Sequence, residues 1–230
     1  KGEGFVKAGK SLWAKFINDT TVEVEENVLV SDSIVNSNVT AMKNIVLRGK
    51  KAQIIGGHLL ATEEICARKV GSPGGGTETI LEVGIDPRAK KRLLEMKKNQ
   101  TDSTRDYENN ELDIQNLEQQ KKLRKKLPQE KEEKLAALKN KNKQIGEELQ
   151  EMTNEIDKIQ AHLRELKAVG KVKVEETVYA GVKIYVRDVL DEVKMDTKHV
   201  TFYYDKSFSK RGDYEPPSLV EEQPDGYTAD

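Results

Sequence analysis

Two glycine groups, Gly56-Gly57 and the run Ser72-Pro73-Gly74-Gly75-Gly76, are the residues of this chain that most invite a phosphate-binding reading. Phosphate loops work because backbone amides and a lysine converge at the start of a helix. Here SPGGGTET carries no Lys-Ser/Thr, and the strand-like ILEVGI follows it instead of a helix. The glycines are therefore expected to turn corners, where a positive φ costs glycine little. His58, His162 and His199 share no ligand spacing with one another or with Cys66, so the sequence assigns no metal site, no cofactor and no catalytic residue.

Two further residue groups have a chemical reading. His58 lies beside a predicted corner, the arrangement in which left-handed β-helix acyltransferases hold a catalytic histidine. Those folds step in regular sixes, whereas the apolar steps here run 6, 5, 6, 9, 5, 6, so acyl transfer is the alternative and not the leading reading. Arg211-Gly212-Asp213 matches an adhesion tripeptide that recurs by chance. The densest charge is basic: Lys121, Lys122, Arg124, Lys125, Lys126, Lys131 and Lys134 crowd around Pro128, opposed only by Glu130, Glu132 and Glu133. These seven are the candidate partner-binding residues. They could also attract an anionic surface, nucleic acid or lipid, but no aromatic residue interleaves them, which disfavours base stacking.

What must position these groups is read from the pattern along 230 residues. Charged residues make up 34% and aromatics 5%, a balance of long solvated helices and not of one compact core. A net charge of -1 gives the whole chain no preference for nucleic acid or membrane. Its single cysteine suits a reducing cytoplasm, and no apolar run is long enough to span a bilayer. The chain opens KGEGFVKAG without methionine, as a fragment would.

Residues 1–85 carry short β-branched groups at a repeating offset. Ile34 maps onto Ile54, Val39 onto Leu59 and Ile45 onto Ile65, each 20 residues on, while Val28 maps onto Ile45 after 17. Three short strands per repeat of this length predict a right-handed parallel β-helix, with Asn27 and Asn44 laddered at equivalent corners. An antiparallel sandwich also uses short strands, but it gives no such repeat.

Residues 86–168 change to a heptad pattern. Leu135, Leu138, Asn142, Ile145, Leu149, Met152, Ile156, Ile159, Leu163 and Leu166 alternate steps of three and four. Their mirror partners upstream, such as Tyr107 for Leu149 and Ala89 for Leu166, sum to 255 or 256. That constant sum predicts an antiparallel coiled-coil hairpin turning at Leu127-Pro128, capped by Asp86-Pro87 at its start and by Gly170 at its end. At 1.5 Å per residue each helix of about 40 residues reaches roughly 60 Å. Residues 169–206 return to strand spacing as the last part of the β-helix, and 207–230, rich in Pro, Gly, Asp and Glu, reads as a flexible tail. The fold expected is mainly β with an inserted α-helical hairpin.

In order along the chain, FIND, SNVT, RGKK, IIGG, KVGS, TETILEVGIDP and VYAGVKIYV resemble the bacterial flagellar assembly protein A family, over roughly Gly9 to Tyr204. The resemblance implies a β-helix interrupted by a helical hairpin. It also implies a non-enzymatic scaffold or localisation role in flagellar or cell-surface assembly, exercised by protein–protein contacts in the cytoplasm. Partners are expected to be proteins, with self-association through β-helix ends or the coiled coil also open; nucleic acid is not favoured.

Overall fold

The computed structural model describes residues 4–124, 127–165 and 170–219. The chain divides into two compact units, one of Lys1–Arg88 with Leu166–Asp230, the other of Ala89–Glu165.

The first unit is a β-solenoid of about four turns. Its strands, in chain order, are β1 (Gly4–Ala8), β2 (Leu12–Asn18), β3 (Thr20–Val24), β4 (Val28–Ala41), β5 (Asn44–Leu47), β6 (Gln53–Ala61), β7 (Glu64–Val70) and β8 (Thr79–Val83). After the helices come β9 (Lys171–Val178), β10 (Lys183–Val186), β11 (Val189–Glu192), β12 (Thr197–Asp205) and β13 (Phe208–Asp213). Each coil has three sides, because the longer strands bend at left-handed residues. Asn36 (φ 45°) bends β4, and Gly56 and Gly57 (φ 69° and 86°) bend β6 directly above it. A Cβ on Gly57 would lie 2.2 Å from the Ser37 carbonyl oxygen, so the position needs glycine for space as well as for φ.

Coil-to-coil register follows the offsets read from the sequence. Ile34 faces Ile54, Val39 faces Leu59, Ile45 faces Ile65 and Val28 faces Ile45, all in parallel ladders. Side chains alternate across a strand, so each inward position stacks on its equivalent. One column runs Val28, Ile45, Ile65, Val172, Phe202; a second Ile34, Ile54, Val70, Val178; a third Val39, Leu59, Leu81, Ile184. Every member is at most 1% exposed. At about 1.5–3 kcal/mol per buried side chain, these columns are what hold the coils together. At one corner the Asn44 side-chain amide donates to Asn27 Oδ1 at 3.1 Å, the ladder expected there.

The strands that return after the helices rejoin the same sheet: β9 pairs parallel with β7 and β10 with β8. Gly170 lies against Gly84, where a Cβ would come within 2.2 Å of the Gly84 nitrogen. Its glycine is therefore required by close backbone passage beside the point where the chain left the solenoid. The helix end it was expected to close lies outside the described residues. Antiparallel additions finish this end: β11 on β10, β12 on β9 and β13 on β12.

That arrangement corrects the flexible tail expected from 207. Residues 208–213 are β13, and Glu215 to Ser218 are bonded to the solenoid. Composition alone favours disorder here, but backbone pairing to β12 and a buried ion pair fix the segment. Residues 220–230 lie outside the described residues.

The second unit holds α1 (Pro87–Arg124) and α2 (Gln129–Glu165). Asp86 Oδ1 accepts from the Arg88 amide at 2.8 Å, the expected cap preceding Pro87. The helices run antiparallel, as the cross-bonds show: Gln100 Nε2 donates to Thr153 Oγ1 at 2.9 Å, Lys139 pairs with Glu118 at 2.6 Å, and Arg92 pairs with Glu155. Leu135, Asn142 and Ile156 are the most buried members of the α2 seam. Leu166, the expected partner of Ala89, lies outside the described residues.

Candidate functional site

On the outward side of β5, β7 and β9 the ladder places Val46, Cys66 and Lys173 in one row, continued by Thr201. Outward positions of a solenoid ordinarily face water. Here all four are at most 2% exposed, and residues 214–218 pass close by as a strap. Lys173 Nζ donates to Glu64 Oε1 at 2.6 Å, to the Pro216 carbonyl at 3.0 Å and to Ser218 Oγ at 3.1 Å. Glu64 also accepts from the Ser218 amide at 3.0 Å and from its hydroxyl at 2.7 Å. Lys171 reaches Glu215 at 2.6 Å, and the Glu215 amide donates to Thr201 Oγ1 at 3.0 Å.

Burial alone would raise the Glu64 carboxyl, but the bonds from Lys173 and Ser218 outweigh it and hold its pKa below the usual range. The same burial, with the Glu64 carboxylate beside it, pushes the Cys66 thiol up strongly, so this cysteine is a weak nucleophile. A cleft of about 700 Å³ adjoins the strap, lined by Leu47, Arg48, Cys66, Arg68, Glu175 and Tyr214. Sequence reading missed this site because VKVE looks like an ordinary alternating strand, with Lys173 on its wet side.

His58 stands outward on β6 and bonds Glu82 at 2.9 Å, its side chain 44% exposed. The cleft beside the strap does not include it. Arg211, the first residue of the adhesion tripeptide, is tied to Asp191 and lies 5.3 Å over the Phe202 ring, so that segment is a structural strand. Gly75 sits in an exposed loop whose amide bonds the Ser72 carbonyl, and β8 follows it, as a corner loop requires.

The basic residues at the arm tip differ among themselves. Lys121 pairs with Glu132 at 3.2 Å, and Lys131 donates to Gln120 at 2.8 Å, so both are spent within the hairpin. Lys122 and Lys134 are exposed and make no ion pair among the described residues. Arg124 ends α1, and Lys125 and Lys126 lie outside the described residues. Further down the arm, a second cleft of about 510 Å³ opens where Gly146 faces Tyr107, with the half-polar seam residue Asn142 on its wall.

A three-sided parallel solenoid with an inserted coiled-coil hairpin places the protein among the β-solenoid proteins that carry helical insertions. Residues 1–208 match the Flagellar Assembly Protein A β-solenoid domain, and the chain belongs to that family. Membership points to a part in bacterial flagellar assembly. No curated protein and no solved structure matches the chain. Neither described helix is long and apolar enough to cross a membrane.

Proposed function

We propose that the protein is a non-enzymatic scaffold of flagellar or cell-surface assembly that works in the cytoplasm by protein–protein contacts, its arm engaging a partner at the tip. The observation that carries this reading is the exposure of Lys122 and Lys134, neither held in a direct ion pair among the described residues, on a hairpin whose other described tip lysines are internally bonded. Local unpaired cations raise association rates with an acidic surface and help fix the docking register. The solenoid, with its stacked apolar columns, supplies a rigid base.

The test is made in the producing bacterium with Lys122→Glu/Lys134→Glu and with the hairpin 87–165 replaced by a short Gly-Ser link. Flagella per cell and swimming speed are scored at matched protein level. The reading expects both variants to lose flagella or misplace them while remaining folded by circular dichroism. Normal flagellation without the hairpin overturns it.

A further inference from the structure

The face of α1 turned away from α2 carries exposed leucines. Leu112 and Leu123 are 58% and 85% exposed. They are 11 residues apart, which at about 100° per residue brings them within roughly 20° of one another around the helix. The α1 seam residues Tyr107, Asn110, Ile114 and Leu117 lie on the opposite side, so the two leucines form a stripe diametrically away from the hairpin's own interface.

Their neighbours decide what could cover them. In the sequence Leu112 stands between Glu111 and Asp113, and Leu123 between Lys122 and Arg124. Glu111, Asp113 and Lys122 are exposed and form no ion pair among the described residues. The stripe thus offers Glu-Leu-Asp and, three turns on, an exposed leucine preceded by the exposed Lys122. A second arm laid parallel would set like charges against like. Laid antiparallel about a two-fold axis near residues 117 and 118, it sets each Leu112 on the partner's Leu123 and each acidic flank on a basic one. Such an isologous contact satisfies both ends at once.

We infer that the arm self-associates antiparallel with a second copy of this chain through this stripe, Leu112 packing on Leu123 of the other arm. Asn116 and Gln119 face their counterparts between the two leucine pairs, so the contact is small and partly polar. Its dissociation constant is expected at about 10–100 μM, the range of weak, transient interfaces. The inference goes beyond the scaffold reading and stands whether or not the tip binds another protein.

Two surface experiments on the full chain test it. Leu112→Cys and Leu123→Cys proteins are oxidised separately and mixed, the native Cys66 being buried. A disulfide dimer is expected mainly in the mixture, because residue 112 lies about 16 Å along the axis from its own counterpart. Equal cross-linking in the separate proteins overturns the register. In the second experiment, Glu111→Lys/Asp113→Lys and Lys122→Glu/Arg124→Glu are each expected to weaken self-association at least tenfold by sedimentation. Mixed together, they are expected to form a heterodimer. A monomeric parent at several hundred micromolar, or charge variants that associate as the parent does, overturns the proposal.

Discussion

Lys173 Nζ lies 2.6 Å from Glu64 Oε1, a pair formed between strands 109 residues apart in sequence and closed on its outer side by the strap. The Lys173 side chain is 2% exposed. Removing one partner of such a pair leaves the other charge buried without compensation, which costs about 3–5 kcal/mol. Lys173→Met is therefore expected to lower the unfolding free energy by about that amount in urea. The double variant Glu64→Gln/Lys173→Met is expected to recover a large part of it, since two neutral groups no longer need each other. A single variant as stable as the parent would show that the pair contributes nothing.

Acid should act on the same site in a defined direction. The folded-state pKa of Glu64 is depressed, so its contribution to stability is complete above the ordinary carboxylate range. That contribution is lost as pH falls through the depressed folded value. The difference in melting temperature between the parent and Glu64→Gln should be constant near neutrality and shrink on the acid side. A difference that grows with falling pH would contradict the assignment.

Cys66 reports on the strap. It is 2% exposed, and Tyr214 and Pro217 line the cleft that it borders. Ser218→Pro removes both the amide and the hydroxyl that Glu64 accepts. Two bonds to a charged group, at about 1.5 kcal/mol each, correspond to an open population larger by roughly 100- to 200-fold. Labelling of Cys66 by a neutral maleimide should speed up by that factor. An unchanged rate would mean that something other than the strap protects the thiol.

The solenoid was legible because its inward positions are β-branched and repeat. Ile34, Val39 and Ile45 announce Ile54, Leu59 and Ile65 at one offset, and each sits where the offset puts it. The strap was not legible, for a physical reason. FSKRGD forms β13 through backbone pairing with β12, which composition does not display, and its residues show no apolar alternation. Lys173 was hidden likewise, because its burial depends on residues 215–218 closing over a face that the strand pattern marks as wet. At the arm tip the sequence located the lysines but could not tell those bonded to Glu132 and Gln120 from those left exposed. That distinction depends on the stagger of two helices, which a heptad pattern fixes only to within a residue or two.

Asn142 tests how that stagger is set. It is 7% exposed within the α2 seam, and its Oδ1 has no hydrogen-bond partner. A buried acceptor left unsatisfied costs about 1–3 kcal/mol, so Asn142→Leu is expected to raise the helical melting transition followed at 222 nm. Polar seam residues also exclude wrong registers, at the expense of stability. The same substitution should therefore loosen the alignment in which Gln100 meets Thr153 at 2.9 Å. The measurement is the yield of a disulfide between Gln100→Cys and Thr153→Cys, with and without Asn142→Leu. A higher melting temperature together with a lower yield identifies Asn142 as a register residue. A higher melting temperature with full yield would mean that the leucines and isoleucines set the stagger alone, and that the asparagine serves the cleft it borders beside Gly146 and Tyr107.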